Sequence, residues 1–264
     1  MKRFLLLSMI CALFMPLAMQ AQEDGGFTVS TDMVSRYVWR GTAFSTAPAL
    51  QPTFEFSKGG FAIGAWGSYS FLGFDGAEAD IYLSYTTLED KLTLTFTDYF
   101  FPDEVNGTFN NYFEYDGDIT GHVFEGAISW NGTESLPLTF LAAVNFFGAD
   151  AKLIEDDTAS ADFNTVVGNQ MSMYFELGYG VTCKDETELE FFLGFTPNEP
   201  RKADATTGYI GEAGFYGYTM GVVNLGVTAS KEIKITENFS IPVFSQLVFN
   251  PMAEDVFLVF GLSL

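Results

Sequence analysis

The sequence predicts an all-β chain, a transmembrane antiparallel up-and-down β-barrel of about 12 strands. Three observations carry this expectation. Aromatic residues make up 17% of the 264 positions and Gly accounts for 26 of them, while charged residues are only 17%, against about a quarter in ordinary soluble domains. Segments of roughly ten residues alternate apolar with polar or small side chains, as strands do when their two faces meet different solvents. Short turns and long loops alternate between those segments, the connection pattern of an outer-membrane barrel.

Composition also excludes several classes. A hydrophobic fraction of 48% is too high for a disordered chain, and after the N-terminus no apolar run approaches the roughly 20 residues of a membrane-crossing helix. Lys and Arg total 12 against 34 Asp and Glu, for a net charge of -22. That balance argues against nucleic acid or an anionic lipid surface as partner and favours cations wherever a charged solute is met.

Residues 1–21 read as a secretory signal: Lys2 and Arg3, an apolar stretch from Phe4 to Phe14, Pro16, and a cleavage point after Ala21. Cys11 belongs to this segment; Met9 and Ile10 before it do not suit lipidation. Residues 22–264 then form the barrel and retain one cysteine, Cys183, so no intramolecular disulfide can form.

The first strand segment places Phe27, Val29, Met33, Tyr37 and Trp39 on an apolar face, opposite Thr28, Ser30, Asp32, Arg36 and Arg40. Next, Leu50, Pro52, Phe54 and Phe56 oppose Gln51, Thr53, Glu55 and Ser57, and Phe61, Ile63, Ala65 and Tyr69 oppose Gly64, Trp66, Ser68 and Ser70. Ile81, Leu83 and Tyr85 oppose Asp80, Tyr82 and Ser84; Leu92, Leu94 and Phe96 oppose Thr93, Thr95 and Thr97. Further segments lie near 122–130, 137–147, 169–182, 187–196, 218–229, 239–249 and 255–264.

Tight turns are expected at Lys58-Gly59-Gly60, Glu89-Asp90-Lys91, Asn131-Gly132-Thr133-Glu134 and Lys184-Asp185-Glu186, with a longer one from Lys231 to Asn238. Long connections run from Gly41 to Ala49, Leu72 to Ala77, Phe101 to Gly121, Gly148 to Gly168, Pro197 to Gly217 and Asn250 to Glu254. This pattern gives about 12 strands with both termini in the periplasm, or 14 if Phe109–Tyr115 pairs as well. A soluble periplasmic sandwich would bury the same apolar faces in one core, but so many alternating strands exceed what such a core needs.

The stretch Thr31-Asp32-Met33-Val34-Ser35-Arg36-Tyr37-Val38-Trp39-Arg40-Gly41, then Ala47-Pro48-Ala49-Leu50-Gln51-Pro52 and Gly60-Phe61 to Trp66-Gly67-Ser68, resembles the opening of the TorF-type porins, the Gcw_chp family. Asp80-Ile81-Tyr82-Leu83-Ser84-Tyr85 and Thr97-Asp98-Tyr99-Phe100 resemble its following segments. The match is clearest over residues 26–130. The resemblance implies an outer-membrane barrel acting as a channel, without substrate or catalytic residues to carry over. Barrels of this class often finish on an aromatic residue, whereas this chain ends in Leu264.

Reactive constellations are sparse. Barrels of similar size include lipid hydrolases that use Ser and His, and parity places His122, the single histidine, outward near the extracellular rim. No serine on neighbouring outward faces is identifiable as its partner, and a nucleophilic hydroxyl needs a base within reach. His122 and Cys183 fall on opposite sides of the membrane and do not make a zinc site. Asp116-Gly117-Asp118 and Glu155-Asp156-Asp157 carry calcium-type ligands without the spacing of a full loop site.

The sequence therefore reads as a non-enzymatic outer-membrane channel for small neutral or cationic solutes, without cofactor or metal. Its partners are outer-membrane lipids, lipopolysaccharide and the solutes, not nucleic acid. Lumen and selectivity candidates are Arg36, Arg40, Glu55, Asp80, Glu125, Glu176, Glu188 and Glu190, all inward by parity. Loop acids Asp103, Glu104, Asp116, Asp118, Glu155, Asp156, Asp157 and Asp162 add a cation preference. The alternatives are a non-conducting barrel whose loops bind a ligand or partner, and a barrel lipid hydrolase.

Overall fold

The computed structural model describes residues 25–71, 77–102 and 111–264. The signal segment 1–21, the connection over 72–76, and Asp103 and Glu104 lie outside the described residues. The strands are β1 (Gly26–Val34), β2 (Val38–Trp39), β3 (Thr42–Ala43), β4 (Ala49–Lys58), β5 (Phe61–Ser70), β6 (Glu78–Thr87), β7 (Leu92–Phe100) and β8 (His122–Trp130). They continue as β9 (Leu138–Gly148), β10 (Lys152–Ile154), β11 (Val166–Asn169), β12 (Met173–Thr182), β13 (Glu188–Thr196), β14 (Gly221–Thr236), β15 (Phe239–Asn250) and β16 (Asp255–Ser263). Twelve of them close a barrel in the order β1-β16-β15-β14-β13-β12-β9-β8-β7-β6-β5-β4, and all of its pairings are antiparallel. The remaining four strands form two small hairpins, β2-β3 and β10-β11, inside loops.

Strand parity sorts the chemistry. Along β4 Phe54 is 52% exposed while the next residue, Glu55, is 3% exposed, so the apolar side chain faces outward and the carboxylate inward. Ile63, Ile81, Leu83, Leu94, Phe96, Leu177, Leu193 and Phe260 continue the apolar outer surface. Among the described residues no second sheet covers it. At the turn end, ring contacts such as Phe27–Phe56 and Phe61–Tyr85, with centroids 4.9 and 4.4 Å apart, edge this belt.

Closure is uneven. β1 pairs with β4 over nine register positions but with β16 over three, Asp32↔Ser263 to Val34↔Gly261. Backbone bonds between Thr31 and Leu264 and from Ser35 N to Phe260 O extend that seam at its two ends.

Two expectations need correction. The first strand does not run on to Arg40: β1 ends at Val34, and the chain turns into the lumen. Tyr37 and Trp39, assigned by simple alternation to the outer apolar face, are 3% and 8% exposed inside the barrel. Parity fails there because the periodicity belongs to a hairpin with its own axis. The 14-strand alternative finds no strand among residues 111–121, while 109 and 110 lie outside the described residues.

Candidate functional site

The site is built by the first long connection, residues 35–48, hereafter loop 1. Its two short strands are joined by Arg40 and Gly41, with φ of 47° and 80°, the pair of positive φ values that a two-residue type I′ turn requires. Tyr37 N–H donates to Ser45 Oγ at 2.8 Å, and Phe44 N–H to Tyr37 O at 2.9 Å. Asn250 Nδ2 on β15 donates to Gly41 O at 3.1 Å and ties the tip to the wall. A Cβ on Gly41 would sit 1.8 Å from the Val223 carbonyl oxygen, so a glycine is needed for both space and φ.

This turn carries Arg40 into a buried clamp. Its two terminal nitrogens donate to the two carboxylate oxygens of Glu125 on β8, Nη2 to Oε1 at 3.0 Å and Nη1 to Oε2, and Nη1 also donates to the Tyr216 hydroxyl. Fork geometry and double burial make this a charge-assisted pair rather than a surface ion pair. The guanidinium carbon lies 4.5 Å from the ring centroids of Trp39 and Tyr174 and 5.7 Å from that of Tyr216, within cation–π range. Tyr99 donates to Glu125 Oε1 at 3.0 Å.

Around the clamp, mostly aromatic side chains crowd the loop end of the lumen. Tyr37, Trp39, Trp66, Tyr82, Tyr99, Leu141, Tyr174, Tyr216 and Met252 belong to one buried cluster. Tyr174 donates to Glu176, and Asn224 Nδ2 donates to both of them, at 3.0 Å to the tyrosine and 2.9 Å to the carboxylate. Space for the Tyr174 ring exists because position 194 on the neighbouring strand is glycine; a Cβ there would meet the hydroxyl at 2.1 Å.

The predicted lumen residues separate into groups. Arg40 and Glu125 meet directly, and Glu176 stands one residue further, through Tyr174. Glu55 accepts from Tyr82 at 2.7 Å and Asp80 from Phe100 N–H at 3.3 Å. Glu188 and Glu190 lie toward the turn end of β13, the first exposed and the second half-buried. Arg36 lies over the Phe257 ring at 5.8 Å, away from Arg40. Sequence reasoning missed Trp39, Tyr99, Tyr174 and Tyr216. The available signal was the Arg-Gly pair between short β-prone segments, together with Trp66 and Tyr82 already standing on the polar parity.

The other long connections form a tied cover. Arg201 Nε donates to Glu212 Oε1 at 2.9 Å, and its Nη1 pairs with Asp156 Oδ1 at 2.6 Å. Asn164 Nδ2 donates to Gly208 O at 2.9 Å, and Gln170 Nε2 to Ala213 O at 3.0 Å. Residues 149–172 are thereby bound to residues 197–220, the connection that delivers Tyr216. In the acidic triplets, Asp156 is occupied by Arg201 and Asp116 Oδ1 accepts Asp118 N–H at 3.1 Å. Parity puts His122 on the outer side, where Tyr112 and Tyr115 cover it completely. Its Nδ1 faces Asp98 Oδ1 at 2.6 Å and its Nε2 faces Tyr112 O at 2.7 Å.

Among solved structures the chain is similar to Wzi of Escherichia coli, described as an outer membrane protein involved in group 1 capsule assembly and a carbohydrate-binding β-barrel. Identity is 10% and the TM-score 0.32, over 82% of this chain and 51% of Wzi, so the chain spans about half of that protein's length. No curated protein matches the sequence. The family described as "Bacterial protein of unknown function (Gcw_chp)" matches residues 20–179, and the chain belongs to that family.

Proposed function

We propose that this chain is a bacterial outer-membrane barrel of the TorF-type porin kind, a non-enzymatic channel for passive diffusion of small neutral or cationic solutes, constricted from within by loop 1. The observation that carries the reading is the sorting of the wall: apolar side chains outward without a covering sheet among the described residues, hydroxyls and carboxylates inward. A closed barrel satisfies every strand edge and tolerates lipid, while a polar inner face suits a solute path. The aromatic hairpin narrows that path at the loop end, so the unit conductance is small. A hydrolytic reading has less support, because both ring nitrogens of His122 already face protein acceptors.

The test is single-channel recording of the refolded full chain in planar bilayers. Small, cation-preferring steps are expected. Silence from a chain that migrates as a folded barrel would overturn the channel reading and favour a non-conducting barrel whose loops bind a partner, an alternative supported by the tied cover of residues 149–172 and 197–220.

A further inference from the structure

The inner wall is acidic and lacks a buried cation of its own. Glu55, Glu78, Asp80, Glu125 and Glu176 are buried on barrel strands, and among the described residues the one buried Lys or Arg is Arg40, which loop 1 brings in. A cation beside it stabilises a buried carboxylate, and of these five Glu125 has one. The fold supplies one from a loop instead of from the wall.

Setting the hairpin aside leaves four groups around the guanidinium position. These are the Glu125 carboxylate, the Tyr99 hydroxyl that bonds it, the Tyr174 ring and the Tyr216 ring with its hydroxyl. A carboxylate flanked by aromatic faces recognises guanidinium and related organic cations.

Two features mark Arg40 as an occupant of this pocket held under constraint. Its φ of 47° is left-handed, a conformation that Gly or Asn adopts far more readily than Arg, and such outliers persist where the surroundings dictate them. Its Nε is buried without a hydrogen-bond partner, so the tethered side chain satisfies the terminal nitrogens alone.

We infer that the Glu125–Tyr99–Tyr174–Tyr216 pocket is a binding site for guanidinium-class organic cations, filled by Arg40 as an internal ligand. A soluble cation of this class then competes with Arg40 for Glu125, and loop 1 yields when it wins. The inference rests on the channel reading above for the route by which a solute arrives.

The test uses the full chain folded in detergent micelles and methylguanidinium as the probe. Arg40→Gly empties the pocket and suits the left-handed turn; Arg40→Asn, which also tolerates that conformation, is the second variant. Calorimetric titration is expected to show binding by both, weaker by about tenfold or more in wild type and in Arg40→Gly/Glu125→Gln, the loss that removal of a charge-assisted pair brings. Absence of binding in natively migrating Arg40→Gly and Arg40→Asn, or equal binding with and without the Glu125 carboxylate, would overturn the site. Conductance of the same preparations is read separately. Binding by a silent barrel keeps the site and removes the channel, and conduction without binding does the reverse.

Discussion

Moving a guanidinium out of water costs several kcal/mol even after relaxation, and at Arg40 this cost is offset by Glu125, the Tyr216 hydroxyl and three aromatic faces. Removing one partner strands the other. Glu125→Gln is therefore expected to destabilise the folded barrel by about 3–5 kcal/mol, read as a lower urea midpoint in lipid vesicles, and a shift under about 1 kcal/mol would show that the pair is not the main restraint. Gly41→Ala acts on the backbone instead: at φ 80° its Cβ would collide with Val223 O, so the tip is expected to leave the wall. The cost is about 1–3 kcal/mol, and the measured consequence is a larger unit conductance. Arg36 and Arg40 are also separable. Arg40→Gln should change ion selectivity while Arg36→Gln, beside Phe257, changes it little; the reverse ranking would move the constriction to Arg36.

Among the elements, the β1-β16 seam has the fewest register pairs of the barrel, three against nine for β1-β4. Local opening follows local bonding, so amides of Asp32 to Val34 that face β16 are expected to exchange before those of β4-β5, and uniform protection would contradict this. His122 acts on the connection before β8. Its ring nitrogens face the Asp98 carboxylate and the Tyr112 carbonyl, which ties that connection to the wall. His122→Ala should release residues 111–121, detected as faster proteolysis there with the barrel intact. At the opposite end, the Lys231 ammonium and then the Thr187 hydroxyl hold the Asp185 carboxyl down to about 2. Because this carboxyl lies below its ordinary 3.8, its contribution is fully present above pH 4 and disappears as pH falls through 2. The side chain is exposed, so the effect is small; carbon chemical shifts should give a midpoint near 2 in wild type and a higher one in Lys231→Ala, where the Thr187 hydroxyl still lowers it.

At the scale of the whole molecule the balance is between lipid outside and charge inside. An uncovered apolar belt that includes Phe54, Ile63, Leu83, Phe96, Leu177 and Phe260 suits hydrocarbon and aggregates in water, so the chain is expected to need detergent and to migrate differently on gels before and after heating. Recovery as a detergent-free periplasmic monomer would refute the membrane reading. Net charge of -22, with Glu155, Asp157 and Asp162 on the loop side, raises local cation concentration over a screening distance of about 8–10 Å near physiological salt. Reversal potentials under a salt gradient should report moderate cation selectivity that weakens as salt rises. Anion selectivity at low salt would shift control to Arg36 and Arg40.

The strands and their pairing order were legible because each depends on near neighbours. A period of two, as in Phe54-Glu55-Phe56, and turn residues such as Gly59-Gly60 or Asp185 specify strand, face and hairpin locally, and eleven successive strand-to-strand connections leave closure of first on last as the remaining step. Glu55, Glu125 and Glu176 were likewise readable as inward, since parity alone decides a face. What sat inside the barrel was not readable. Trp39 and Tyr37 continue the alternation of β1 in sequence, yet they belong to the hairpin whose left-handed pair Arg40-Gly41 lies inside the barrel, and that turn is held by Asn250, Val223, Glu125 and Tyr216, residues 85 to 209 positions away. Local periodicity determined the wall of this protein; the occupant of its lumen was decided by long-range contacts between a loop and four distant segments, which only the closed barrel brings together.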